Sequence, residues 1–172
     1  MSPVSHGTSE SRGDGRWRLH FEPHLPYAYE ALWPALTTPD GLRRWLAEAE
    51  VLERRLGGAV RLRLPDSGTV VTGHVTAWDI ERIVEYTVTE YGRMRFHLEA
   101  VGTDSTVIRF VNERTFDESG GAQAQLLEHL AAWHEHFELL ESAMGGRPAH
   151  WAAWTDTHRA ELRASYASLS RA

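Results

Sequence analysis

Hydrophobic positions along this chain change their period twice. From Arg16 to Phe21, the apolar residues Trp17, Leu19 and Phe21 alternate with Arg18 and His20, the two-residue period of a half-buried strand. After Pro23 and Pro26 the spacing lengthens, and Tyr29, Leu32, Trp33 and Leu36 share one helical face, with Pro26 near the first turn. Pro34 predicts a kink or an early end, because proline removes an N–H and crowds the preceding turn. Thr38-Pro39-Asp40 then predicts a second short helix, with Thr38 as N-cap and Leu42, Trp45 and Leu46 inward. From about residue 50 to 116 the period returns to two. Val60, Leu62 and Leu64 alternate with arginines. A Val/Thr-rich run spans Thr69 to Trp78. Val84, Tyr86 and Val88 follow, then Met94, Phe96 and Leu98, then Ile108 and Phe110. Glycine- and aspartate-containing turns separate these runs. Ser119-Gly120-Gly121 ends the strand pattern. Leu126, Leu130, Trp133, Phe137, Leu140 and Met144 then form one continuous helical stripe, closed by Gly145-Gly146 and Pro148. A last helix is predicted over His150 to Ser168, with Trp151, Trp154, Leu162, Tyr166 and Leu169 as its apolar side.

This order predicts an α+β fold: a curved antiparallel β-sheet gripping a long C-terminal α-helix, two short helices after the first strand, and an extra C-terminal helix. A sheet that buries one face needs a cover, and the long apolar helix is the element large enough to provide it. A curved sheet around one helix leaves space for a ligand between them. Residues 1–15 read as a disordered leader, 16–147 as the helix-grip domain and 148–172 as a helical extension. The apolar side of that extension is too large to leave wet, so it is expected to dock on the domain or to form part of a homodimer.

Composition narrows the function. The 172 residues suit one domain, and 42% hydrophobic with 24% charged residues is ordinary for a globular chain. No cysteine is present, which excludes disulfides, thiolate metal sites and a cysteine nucleophile. A net charge of −6 argues against nucleic acid as a partner. No apolar run reaches the roughly 20 residues of a membrane span, and the first fifteen residues lack a signal's apolar region, so a cytoplasmic location is expected. All 18 basic residues are arginine, which suggests a GC-rich bacterial genome and removes lysine Schiff-base chemistry. Seven tryptophans suit either a core or the wall of an apolar pocket.

Several local patterns occur in a fixed order. Leu32-Trp33, Ala35-Leu36-Thr37-Thr38-Pro39-Asp40 and Arg44-Trp45-Leu46 open the series. Gly57-Gly58, Gly73-His74-Val75 and the Gly102-to-Thr106 turn follow, and Ala132-Trp133-His134-Glu135-His136-Phe137 with Leu140 closes it. The set resembles the SRPBCC superfamily, the START-like helix-grip fold. Within it, the closest resemblance is to the homologues of the Hsp-ninety ATPase activator, a branch often labelled polyketide-cyclase-like. The resemblance spans roughly residues 16 to 170 and implies binding of a small, mostly apolar molecule, with catalysis in some branches. Ile80-Glu81 stands where such proteins usually carry a Pro-Pro turn, and Asn112 where many carry a histidine. Two alternatives stay open: an aromatase/cyclase-type enzyme acting on a polyketide-like substrate, and a co-chaperone-like ATPase activator.

The expected cavity wall combines Trp33, Leu130, Trp133 and Phe137 from the helices with Val84, Tyr86, Phe96, Leu98, Ile108 and Phe110 from the sheet. Strand parity also turns Glu90, Asn112 and Arg114 inward. A desolvated Glu90 would suit a general base, with Tyr86 and Arg114 beside it; the plainer reading leaves Glu90 and Arg114 at frayed strand ends, exposed or paired with each other. Ten histidines raise the question of a metal. His129, His134 and His136 are spaced five and two apart, whereas ligands on one helix face need three or four. No metal and no cofactor is expected, and these histidines read as partly exposed flanks of the helix. No Gly-x-Ser-x-Gly elbow or phosphate-binding glycine loop occurs.

Overall fold

The computed structural model describes residues 4–116 and 121–170. Strands β1 (Thr8–Gly13), β2 (Arg16–Phe21) and β3 (His24–Leu25) lead into helices α1 (Tyr29–Thr37) and α2 (Pro39–Arg43). Six strands follow: β4 (Glu48–Leu52), β5 (Ala59–Arg63), β6 (Val70–Asp79), β7 (Ile83–Val88), β8 (Gly92–Gly102) and β9 (Ser105–Thr115). Helix α3 (Ala122–Met144), a single 3-10 turn at Trp151–Ala153 and helix α4 (Thr157–Ser170) complete the chain. The nine strands form one curved, open antiparallel sheet in the order β1-β2-β9-β8-β7-β6-β5-β4, with β3 also pairing with β9. The helix-grip architecture expected from the sequence is present. Among the described residues, no helix is long and apolar enough to cross a membrane.

The segment expected to be a disordered leader carries β1, so that expectation is corrected. Thr8–Gly13 pairs antiparallel with β2 through a two-residue turn, Asp14-Gly15, whose φ values of 56° and 76° are those of a tight hairpin. Asp-Gly was the available signal. The edge strand hides because its residues are nearly all polar and mostly exposed. A second strand without a clear pattern, β4, forms the other edge. Gly73, in β6, meets a spatial requirement: a Cβ there would lie 1.8 Å from the Thr87 carbonyl oxygen of β7.

Helix α1 runs through Pro34 and ends three residues later, where the Thr37 hydroxyl donates to the Trp33 carbonyl at 2.7 Å. Thr38 caps α2 as expected, accepting from the Gly41 N–H at 2.9 Å. The predicted break at Ser119-Gly120 lies outside the described residues, while Gly121 sits at the N-terminus of α3 in the left-handed region.

Helix α3 crosses the concave face of the sheet, and its stripe fills the centre. The Phe110 ring lies 4.4 Å from Trp133, 4.8 Å from Phe96 and 5.1 Å from Phe137, centroid to centroid, and Trp45 stacks on Phe137. The opposite side of α3 is also covered. Helix α4 packs there in cis, burying Leu162 and Tyr166, while Leu169 stays exposed. The Gly7 N–H donates to the Tyr166 hydroxyl at 2.8 Å, and the same hydroxyl shares a hydrogen bond with His134 Nδ1, also at 2.8 Å. The predicted single helix from His150 is corrected to a short turn followed by α4, leaving Trp154 outside the helix. His134 and His136, expected to be partly exposed, are buried, because α4 and the chain around Trp45 and Asp66 close over α3.

Candidate functional site

The space between sheet and helix lies against the middle of α3, under the β5–β6 hairpin. A cavity of about 190 Å³ opens there. Leu62, Leu64 and Val71 of the β5–β6 hairpin and Met94 of β8 supply apolar walls, with Leu46 behind them. Helix α3 contributes His129, Ala132, Trp133 and His136, at the i, i+3, i+4, i+7 spacing that places residues on one helix face. Asp66 and Ser67 from the β5–β6 turn, Tyr91, Glu128, and Arg159 from α4 form the polar part of the lining.

Of the twelve residues expected to line a cavity, Trp133 does so. The others lie elsewhere, and their expected position is corrected. Val84, Phe96, Leu98 and Ile108 are packed into the core with Phe110, Leu130 and Phe137. Trp33 packs on Trp78 with ring centroids 5.2 Å apart. Tyr86 is fully buried and donates its hydroxyl hydrogen to the Leu36 carbonyl at 2.7 Å. Burial pushes that phenol well above its ordinary pKa. Aromatic rings are large enough to close the centre of the sheet, so the open space falls where smaller aliphatic side chains replace them.

Asn112 points inward as predicted, but it works as a clamp. Its Nδ2 donates to the Tyr91 and Arg93 carbonyls at 2.7 and 3.0 Å, and its Oδ1 accepts from Trp133 Nε1 at 3.1 Å. This fixes the indole that forms one cavity wall. Glu90 does not point inward: β7 ends at Val88, and Glu90 is an exposed turn residue with φ 66°. Arg114 is buried between the Tyr91 and Phe116 rings, bonded to the Glu90 backbone carbonyl at 3.2 Å and to His129 Nδ1 at 3.0 Å. A guanidinium only donates, so His129 accepts at Nδ1 and carries its hydrogen on Nε2. Burial, with Arg114 and then Arg159 nearby, lowers the His129 pKa to about 3, and burial brings Arg114 down to about 10.

A buried charge cluster closes the α4 side. Arg159 Nη2 lies 2.9 Å from Asp66 Oδ2 and 2.8 Å from Glu135 Oε1. These are charge contacts off the direction of its N–H bonds; the aligned hydrogen bond runs from Nε to Glu135 Oε1 at 3.0 Å. The guanidinium lies over the Trp154 ring at 4.9 Å, and Trp154 Nε1 donates to the same Glu135 oxygen at 3.2 Å. Burial raises the Glu135 pKa against these favourable contacts. Nothing in the spacing of α3 announced this cluster. The available signals were Asp66, which continues the inward parity of Leu62 and Leu64, and Arg159, one turn before Leu162 on the apolar side of α4. Among the described residues, no three His, Asp or Glu groups converge to hold a metal.

The buried histidines predict a pH dependence. Burial depresses the pKa of His129, His134 and His136. Each ring then binds fewer protons folded than unfolded between its depressed value and the ordinary value near 6.5, so stability falls as pH drops through that interval. One fully depressed histidine contributes a slope of about 1.4 kcal/mol per pH unit. Glu135, raised by burial, and His158, raised chiefly by its hydrogen bond to Glu138, bind more protons folded and offset part of it. Urea midpoints should fall steadily from about pH 7.5 to about pH 5, and His129→Gln should flatten the decline. A flat profile would mean that these rings are not held neutral.

Solved structures share this fold. A conserved protein, EF2215 from Enterococcus faecalis, is similar at 18% identity over 96% of this chain and 90% of that one, with a TM-score of 0.73. CalU16 from Micromonospora echinospora is similar at 16% identity over 98% and 99%, with a TM-score of 0.72. An AHSA1-like protein from Aeromonas hydrophila aligns at 16% identity over 77% and 96%, with a TM-score of 0.56. No curated protein sequence matches the chain. The family model described as "Activator of Hsp90 ATPase homolog 1-like protein" matches residues 26–145, from just before α1 to the end of α3. The chain belongs to that AHSA1-like family, within the SRPBCC superfamily.

Proposed function

We propose that the chain binds a small, largely apolar molecule, about one aromatic ring with a short substituent, in the cavity between the β5–β6 hairpin, β8 and α3. The cavity itself carries this reading: about 190 Å³, with Leu62, Leu64, Val71, Met94 and Trp133 as its apolar walls. A dry apolar cavity of roughly 150 Å³ is known to accept benzene, so the volume suits a single ring. Trp133 is held in place by Asn112, so the wall needs no reorganisation before a ligand enters. The cyclase alternative asks for Tyr86, Glu90 or Arg114 in the cavity as a proton-transfer group. Tyr86 is committed to the Leu36 carbonyl, Glu90 faces solvent and Arg114 lies behind His129. Binding is therefore the better-supported activity.

Benzyl alcohol serves as the probe. It should alter tryptophan emission, and Trp133→Phe should remove most of that change. Ala132→Leu should fill the space from the helix side, weakening binding by about tenfold or more while stability holds or rises by up to about 1 kcal/mol. An emission change that persists in Trp133→Phe, or unaltered affinity in Ala132→Leu, would place the binding site elsewhere.

A further inference from the structure

The polar side of the cavity contains two acceptors facing each other. His136 Nδ1 lies 2.9 Å from the Trp45 carbonyl oxygen. A carbonyl only accepts, so Nδ1 carries the hydrogen, and in the neutral ring Nε2 is a bare acceptor. Burial favours that neutral ring. Nε2 faces Asp66 Oδ2 at 3.9 Å, too far for a hydrogen bond between them. Both side chains are more than nine-tenths buried, 8% and 7% exposed, and both line the cavity. Among the described residues, no donor makes an aligned hydrogen bond to His136 Nε2 or to the Asp66 carboxylate.

Charge points the same way. Asp66 and Glu135 share the guanidinium of Arg159, one positive charge for two carboxylates. Glu128 pairs with Arg163 at 2.7 Å, a guanidinium it shares with Asp156 at 2.8 Å. Arg114 lies behind His129, directed at Nδ1 and at the Glu90 carbonyl. The gap between Asp66 and His136 therefore suits a group that donates in two directions and carries a positive charge. A nitrogen at about 2.9 Å from both acceptors would subtend an angle close to a right angle, within the spread of an ammonium's N–H bonds. Trp133 and Tyr91 add aromatic rings to the same cavity, surfaces that attract a cation.

We propose that the cavity selects a small arylalkylamine, its primary ammonium bridging Asp66 and His136 while the ring lies against Leu62, Met94 and Trp133. The inference rests on the reading that this cavity binds small apolar molecules, and it adds the chemistry of the ligand's polar end.

Titration calorimetry of the full chain at about pH 7.5 with benzylamine, benzyl alcohol and benzoate tests it. Benzylamine should bind about tenfold or more tighter than benzyl alcohol, with benzoate weakest. Asp66→Asn should bring benzylamine and benzyl alcohol to within about threefold of each other. If that variant does not fold, ¹⁵N spectra of the wild-type histidines replace it. On benzylamine addition, His136 Nε2 should shift from a bare nitrogen toward a hydrogen-bonded acceptor, while Nδ1 stays protonated. Benzyl alcohol binding as tightly as benzylamine, or a His136 Nε2 that does not respond, overturns the amine inference and leaves the cavity reading standing. Failure of all three compounds to bind overturns both.

Discussion

Arg159→Ala lowers the unfolding free energy by about 3–5 kcal/mol, because it strands two buried carboxylates. Asp66 and Glu135 are 7% and 6% exposed at their side chains, and Arg159 is the guanidinium between them. The substitution also removes a cation from the face of Trp154 and a side chain from the cavity lining. The deficit should depend on pH. Without Arg159, the Glu135 carboxyl, already raised by burial, loses the cation that holds it down, so it binds more protons folded than unfolded, and the variant recovers stability relative to the wild type as pH falls. Adding Asp66→Asn and Glu135→Gln to Arg159→Met should restore much of the loss at neutral pH, since neutral groups in the same space carry no desolvated charge. Urea unfolding of the single and triple variants measures both effects. A single variant within about 1 kcal/mol of wild type would show that the cluster is hydrated rather than buried.

The second large effect is expected at Asn112. Asn112→Ala should cost about 3–5 kcal/mol, since one fully buried side chain satisfies the Tyr91 and Arg93 carbonyls and the Trp133 indole N–H. Trp133→Phe should cost less, about 1–3 kcal/mol, because it leaves Asn112 with two of its three bonds. The double variant should lose less than the sum, as both substitutions remove the same bond. Asn112→Ala should also weaken benzyl alcohol binding, because an untethered indole no longer presents a fixed wall. Additive losses in the cycle would contradict the clamp.

How much of this was legible in the sequence follows from which signals are periodic. The stripe Leu126-Leu130-Trp133-Phe137-Leu140 and the alternation in β5 to β9 are long and regular, so the sheet, the long helix and their facing sides could be read directly. Strands β1 and β4 carry no periodic signal because edge strands need no apolar alternation; in β1 the Asp14-Gly15 turn is the one local cue. The position of the cavity was not legible. Parity tells which residues face inward but not which inward residues touch one another. Parity alone puts Phe96, Phe110 and Phe137 on a cavity wall, whereas in the fold they close the core with Trp45. Glu90 was turned inward by extrapolating a strand that ends two residues earlier in a turn. The Arg159 cluster joins residues more than ninety positions apart in the chain, a distance at which local pattern carries no information.

A ligand seated between the β5–β6 hairpin and α3 is tested most directly by intermolecular nuclear Overhauser effects. With methyl-labelled protein and saturating benzyl alcohol, the aromatic protons of the ligand should give cross-peaks to the Met94 methyl and to methyls of Leu62 and Val71, all of which line the cavity. Val84 and Ile108, packed in the closed core, should give none. Cross-peaks to Val84 or Ile108 in place of Met94, or no cross-peaks at all at saturation, would contradict that placement.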